Sequence, residues 1–138
     1  MSKIFVDTSG WASLFDPKDK YHSQANAIYK TFREPGTRLI TTNYIIAELA
    51  ALLTSPLRIS RNRIVNYIDG LRTSELVDLL HIDEFIENRA WKLFKNRDDK
   101  EWSLVDCSSF VLMTQYEITD ALTNDHHFEQ AGFVRLLK

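Results

Sequence analysis

Four carboxylates stand where an acid is hard to place. Glu48 lies inside the run Ile45-Ile46-Ala47-Glu48-Leu49-Ala50-Ala51-Leu52-Leu53, and a helix this apolar is expected to be buried nearly all round. A lone charge there is costly unless a basic partner, a proton or a metal ion neutralises it. Asp7 closes Ile4-Phe5-Val6, an apolar run of the kind that forms a central strand buried on both faces. Asp106 follows Ser103 by three residues and is itself followed by the small residues Cys107, Ser108 and Ser109, which leave room for an ion or a substrate. Asp125 sits in Thr123-Asn124-Asp125-His126-His127. Each acid also has an ordinary structural use. Asp7 and Asp106 suit the first turn of a helix, Asp125 suits a turn, and Glu48 could face solvent or pair with an Arg. Brought to one edge, however, the four would repel one another unless a cation were present. Oxygen-only ligation selects hard ions, Mg²⁺ or Mn²⁺. Such a site activates water and steadies an in-line displacement at phosphorus.

The elements that must position these acids follow from hydrophobic spacing. Strands are expected at Ile4–Val6, Leu39–Thr42, Leu76–Leu80, within Glu117–Leu122 and within Gly132–Leu136. Helices are expected from Ser9 to near Asp16-Pro17 and over 22–33, the latter ended by Pro35-Gly36. Further helices are expected over 44–53 with Asn43 as cap and Ser55-Pro56 as interruption, then over 60–71, 83–96 and 104–115, the last capped by Ser103. Strands alternating with helices indicate an α/β domain with a mostly parallel sheet. Ligands in such folds bind beyond the carboxyl ends of the strands, where Asp7 and Asp125 fall.

Composition narrows the class. With 138 residues, 44% hydrophobic and 26% charged, the chain suits one globular domain with its own core. No repeat or composition shift marks a boundary within 1–138. The single cysteine, Cys107, excludes an intrachain disulfide and a Cys-rich zinc module, and points to a reducing compartment. A net charge of −2 argues against coating nucleic acid with bulk positive charge, although a metal can do that work locally. No apolar stretch approaches the ~20 residues of a membrane span, and a cytoplasmic protein is expected. There is no Walker loop and no GxGxxG, so nucleotide cofactors have no support.

The sequence resembles the PIN domain, a metal-dependent ribonuclease fold, and especially the small single-domain toxins of the VapC type. The matching stretches are Ile4-Phe5-Val6-Asp7-Thr8-Ser9, Ala47-Glu48, Trp102 to Phe110, Leu122 to Phe128 and Glu129-Gln130-Ala131-Gly132-Phe133. They run from end to end of the chain in the family's order. The resemblance implies a three-layer fold with a sheet of about five strands between helices. It implies that Asp7, Glu48, Asp106 and Asp125 hold Mg²⁺ or Mn²⁺, with Asp99 as an accessory ligand and Thr8, Ser9 and Thr123 as supporting hydroxyls. It further implies hydrolysis of RNA phosphodiester bonds, homodimers and a cognate antitoxin.

Other features carry a plainer reading beside the functional one. Arg58, Arg61 and Arg63 form a solvated face or clamp RNA phosphates, and Lys92, Lys95, Arg97 and Lys100 offer a second basic stretch; Arg58, Arg61 and Lys100 are the candidate substrate contacts. His126 and His127 are expected to serve structure or substrate, since as ligands they would suit a softer ion. Cys107 is expected in the core, and Trp11, Trp91 and Trp102 in the core or a dimer interface. Two competing functions remain at this point. An aspartyl phosphatase would use Asp7 as nucleophile but needs a second acid where Ser9 stands. A PIN-like module could bind RNA or protein without cutting.

Overall fold

A computed structural model describes residues 2–32 and 36–138. Arg33 and Pro35, expected at the end of the second helix, lie outside them. The apolar runs form five strands: β1 (Lys3–Val6), β2 (Arg38–Thr42), β3 (Val77–Leu80), β4 (Asp120–Leu122) and β5 (Val134–Arg135). They pair in the order β3-β2-β1-β4-β5, every pair parallel. The chain therefore builds outward from β1 to β3 and then returns to add β4 and β5 on the other side of β1. That reversal between β1 and β4 is the position where open α/β sheets leave a crevice for ligand. Ile4, Phe5 and Val6 are all buried, as expected for the central strand.

Seven helices flank the sheet: α1 (Thr8–Phe15), α2 (His22–Thr31), α3 (Asn43–Thr54), α4 (Arg61–Thr73), α5 (Glu84–Asn96), α6 (Leu104–Gln115) and α7 (His126–Gln130). Their starts are set by side chains that accept from free first-turn amides. Asp7, Thr42, Ser60, Asp83, Ser103 and Asp125 each do so. Thr42, not Asn43, caps α3. The Asn43 side-chain oxygen instead accepts from the Ile82 amide at 2.7 Å, tying the start of α3 to the chain beyond β3.

One expectation needs correction. The helix α3 is apolar without being buried all round: Ile45, Leu49 and Leu53 enter the core, whereas Ala47, Glu48 and Ala51 are exposed. The alanines raise its mean hydropathy, yet their small surfaces cost little when left in water. The strands β4 and β5 are also shorter than the apolar runs that contain them. Ile118 leaves α6 as a buried connector, and Leu137 packs into the core after β5 has ended.

Gly10 is the tightest point of the fold. A Cβ there would lie 2.0 Å from the Leu122 carbonyl oxygen and 3.0 Å from Val6 Cγ1. Only glycine lets the first turn of α1 sit directly against the ends of β1 and β4. Among the described residues, no helix is long and apolar enough to cross a membrane.

Candidate active site

The loops that leave β1 and β4, together with α3 and α6, enclose a cavity of about 430 Å³ lined by Asp7, Thr8, Ser9, Glu48, Leu52, Asp106, Asn124, Asp125 and His126. All four carboxylates singled out in the sequence thus face one opening, although they come from four separate segments.

Asp7 is the most enclosed, only 6% exposed. Its Oδ1 accepts from Ser9 Oγ at 2.8 Å and from the Gly10 amide at 2.9 Å, and its Oδ2 accepts from Thr123 Oγ1 at 2.7 Å. With both hydroxyl protons directed at Asp7, the 3.2 Å approach of Ser9 Oγ to Thr123 Oγ1 is a contact, and each oxygen remains an acceptor. Ser9 Oγ takes the Asn124 amide at 3.1 Å, and Thr123 Oγ1 takes the Asp125 amide at 3.0 Å. A single network therefore locks the β1 and β4 loops together around Asp7. Burial, aided by the nearby Asp125 charge, pushes the Asp7 carboxyl up to about 7 against the pull of these donors. The capping role and the site role expected as alternatives for Asp7 coexist.

Asp106 behaves similarly. Ser103 and Asp106 form a complete capping box at the start of α6. Asp106 Oδ2 also meets His127 Nδ1 at 3.0 Å, and the same nitrogen lies 3.4 Å from Asp125 Oδ1. Burial raises the Asp106 carboxyl above its ordinary range, the Ser103 amide opposes this, and the Asp125 charge adds to it. Asp125 caps α7 by accepting from the His127 amide at 2.9 Å. At the rim, Thr8 Oγ1 donates to Glu48 Oε1, which holds an otherwise exposed side chain at the cavity.

His127 is the functional residue that spacing did not reveal. It bridges two of the acids across 21 residues of sequence. The only available signal was its position two residues after Asp125, and nothing local points its ring at α6. His126 stays exposed at the cavity mouth, and Asp125, His126 and His127 could present three donor atoms to one ion. Ser9, where an aspartyl phosphatase needs an acid, spends its hydroxyl on Asp7.

Other candidates are not brought to the cavity. Asp99 lies on the surface with both oxygens engaged by Arg97, at 2.9 and 3.1 Å, and Lys100 points to the same carboxylate at 4.0 Å. Arg61 lines a separate groove between α3 and α4. Arg58 is an exposed residue of the connecting loop with a left-handed backbone (φ 53°). Cys107 is buried, which pushes its thiol up to about 11 and leaves it inert.

The donor set fits a divalent cation. Among the described residues, no Lys or Arg nitrogen lies within 4.0 Å of any of the four acids. Among the described residues, no hydrogen bond is made by Glu48 Oε2, Asp106 Oδ1 or Asp125 Oδ2. Three carboxylate oxygens from three elements are left without a donor beside a buried fourth acid, which is the electrostatic arrangement a cation relieves.

The PIN domain family model matches residues 4–134. The chain belongs to the PIN domain family. VapC20 from Mycobacterium tuberculosis, named a 23S rRNA-specific endonuclease, is 32% identical to this PIN domain over 133 residues, covering 96% of this chain and 97% of its own, in each of two strains. The crystal structure of VapC20, described as a Sarcin-Ricin loop cleaving toxin, matches with a TM-score of 0.87 and 30% identity over 98% of this chain and 99% of that one. FitAcB from Neisseria gonorrhoeae, 19% identical with a TM-score of 0.65 over 96% of this PIN domain and 95% of that chain, shares the fold. The expected α/β architecture and the family resemblance are both borne out.

Proposed function

We propose that this PIN domain is an endoribonuclease of the VapC type, the toxin half of a toxin–antitoxin pair, and that Asp7, Glu48, Asp106 and Asp125 hold the Mg²⁺ or Mn²⁺ it uses. The observation that carries the proposal is the convergence of four carboxylates on one cavity with no Lys or Arg against them. When bound, a divalent ion would lower the pKa of a water and stabilise the negative charge that develops at phosphorus.

The protein's own groups divide the remaining work. Ser9, Gly10 and Thr123 fix the Asp7 carboxylate in one orientation. The Ser103 cap and the His127 ring fix Asp106. The free oxygens of Asp106 and Asp125 are the two acceptors placed to take a proton from the attacking water. The bridging His127 ring keeps these two acids apart and oriented, as outer partners of ligating carboxylates do.

RNA is the substrate class, and large ribosomal RNA is the first target to test because VapC20 acts there. An antitoxin protein and the cytoplasm belong to the same proposal, as does a homodimer. The stacked pair Trp91 and Phe94 supports the homodimer: their rings lie 5.6 Å apart, 48% and 40% exposed on α5, as an apolar face suited to a second copy. Sedimentation at twice the monomer mass, reduced to monomer by Trp91→Glu, is the expected result.

The decisive experiment maps new 5′ ends in total RNA incubated with the protein and Mn²⁺, beside Asp106→Asn and Glu48→Gln. Discrete ends are expected with the wild type alone. Glu48→Gln should fold as well as the parent, since Glu48 is exposed and its one donor is a hydroxyl that can also serve an amide. Full cleavage by either variant would remove the four-acid site. Absence of ends with all three proteins would favour a module that binds without cutting.

A further inference from the structure

We propose that the groove between α5 and α6 is a second RNA-binding site, an exosite that grips a single-stranded segment of the substrate outside the acidic cavity. This rests on the ribonuclease reading above.

The groove has a volume of about 840 Å³, roughly twice the acidic cavity, and among the described residues no Asp or Glu lines it. Its wall on α5 is formed by Phe85, Arg89 and Lys92. Its floor includes the buried rings of Trp102 and Phe110. Among the described residues, neither Arg89 nor Lys92 has an acidic oxygen within 4.0 Å, whereas Arg97, which also lines the groove, is committed to Asp99. Two cations without an acidic partner in one groove stand out in a chain of net charge −2. They suit phosphate oxygens, which Arg and Lys neutralise.

The apolar part selects the kind of anion. Phe85 is 59% exposed, and the Arg89 guanidinium lies 5.5 Å from its ring centroid. An exposed ring beside a guanidinium plane is a platform for an unstacked base. The side-chain amides of Asn96, Gln115 and Gln130 line the same groove and can meet base edges. A duplex would keep its bases stacked and away from these rings, so a single strand is the occupant.

The groove shares α6 and α7 with the acidic cavity. Trp102 directly precedes Ser103, the cap that bonds Asp106, and its Nε1 donates to Gln130 Oε1 at 2.9 Å. Gln130 ends the helix that Asp125 caps. At about 1.5 Å of rise per residue, the two lie roughly 8 Å apart along α7. A strand cut at the acids is thus near enough for its flanking nucleotides to be held.

The test uses the Asp106→Asn protein, which should bind without cutting, and a fluorescein-labelled single-stranded oligoribonucleotide of mixed sequence, read by anisotropy. In that background, Arg89→Glu with Lys92→Glu is compared with Lys18→Glu plus Lys30→Glu, an equal charge change at exposed positions outside the groove. The groove pair is expected to weaken binding at least about tenfold more than the control pair, and to flatten the plot of log K against log salt by about 1.4 for two lost phosphate contacts. Phe85→Ala should weaken binding about tenfold without changing that slope. Equal losses in both pairs, or none, would overturn the exosite. Wild-type cleavage with unaltered binding by the groove variants removes only the exosite, whereas no cleavage by wild type and no binding by the Asp106→Asn parent removes the ribonuclease reading with it.

Discussion

Asp7→Asn is expected to raise the melting temperature of the metal-free protein while abolishing cleavage. Burial pushes the Asp7 carboxyl from 3.8 to about 7. A carboxyl raised in this way stabilises the fold while it is protonated. Between about pH 4 and 7 the unfolded chain has released the proton and the folded chain has kept it, so stability falls as pH rises through that window and levels off above it. The shift corresponds to a loss on the order of 4 kcal/mol by neutral pH. An Asn carries no charge to bury. Its oxygen can keep the Ser9 and Gly10 donors, and its amide can face Thr123 Oγ1, which already takes the Asp125 amide and can accept with its second lone pair. In EDTA-treated protein at pH 8, the variant should melt about 10 °C higher than wild type, and its stability should lose the downward slope between pH 4 and 7. Saturating Mn²⁺ should close most of that gap. The wild type gains about 2.7 kcal/mol at a hundredfold excess over Kd, and the variant gains little. Cleavage should fall at least about 100-fold. A variant that melts below wild type at pH 8 and keeps the metal-induced rise would reduce Asp7 to a helix cap.

Gly10→Ala should unfold much of what Asp7→Asn stabilises. The added methyl would meet the Leu122 backbone oxygen at 2.0 Å, and a carbonyl in a paired strand cannot turn aside as a side chain can. Relief requires α1 to lift from β4, which costs about 3 kcal/mol or more. That movement also draws Thr123, the next residue after Leu122, away from Asp7 Oδ2, and weakens the Gly10 amide bond to Oδ1. Two readouts should therefore move together: the melting temperature falls by about 10 °C, and the Mn²⁺ concentration needed to stabilise the protein rises 10- to 100-fold. Unchanged stability would mean that the close packing of α1 on the β1–β4 edge is wrong. A large loss of stability with unchanged metal response would separate the packing from the site.

Residue patterns alone reach a good part of this protein. The doubly buried β1, the breaks at Pro17 and Pro56, and the Ser103–Asp106 capping box are local features, set by a few neighbouring residues. The alternation of strands and helices places Asp7 and Asp125 at the carboxyl edge without any knowledge of contacts. The short helix α7 escapes such analysis because five residues cannot display a helical period. The exposed face of α3 escapes because alanine is compatible with core and with surface alike. Glu48 was thus singled out for a burial it does not have, and it reaches the cavity through the hydroxyl of Thr8. Asp99, which the resemblance implies as an accessory ligand, is instead captured at the surface by Arg97 two residues away.

The sequence by itself determined which strands are buried, where most helices start, and that four acids stood in need of an explanation, because hydrophobic period and capping chemistry act over a few residues. Tertiary structure decided which acids meet and what holds them. The strand order β3-β2-β1-β4-β5 places the ends of β1 and β4 side by side, so that Thr123 can close on Asp7 from 116 residues away and His127 can bridge Asp125 to Asp106. Side-chain hydrogen bonds act over about 3 Å, and only the folded sheet brings these groups within that reach.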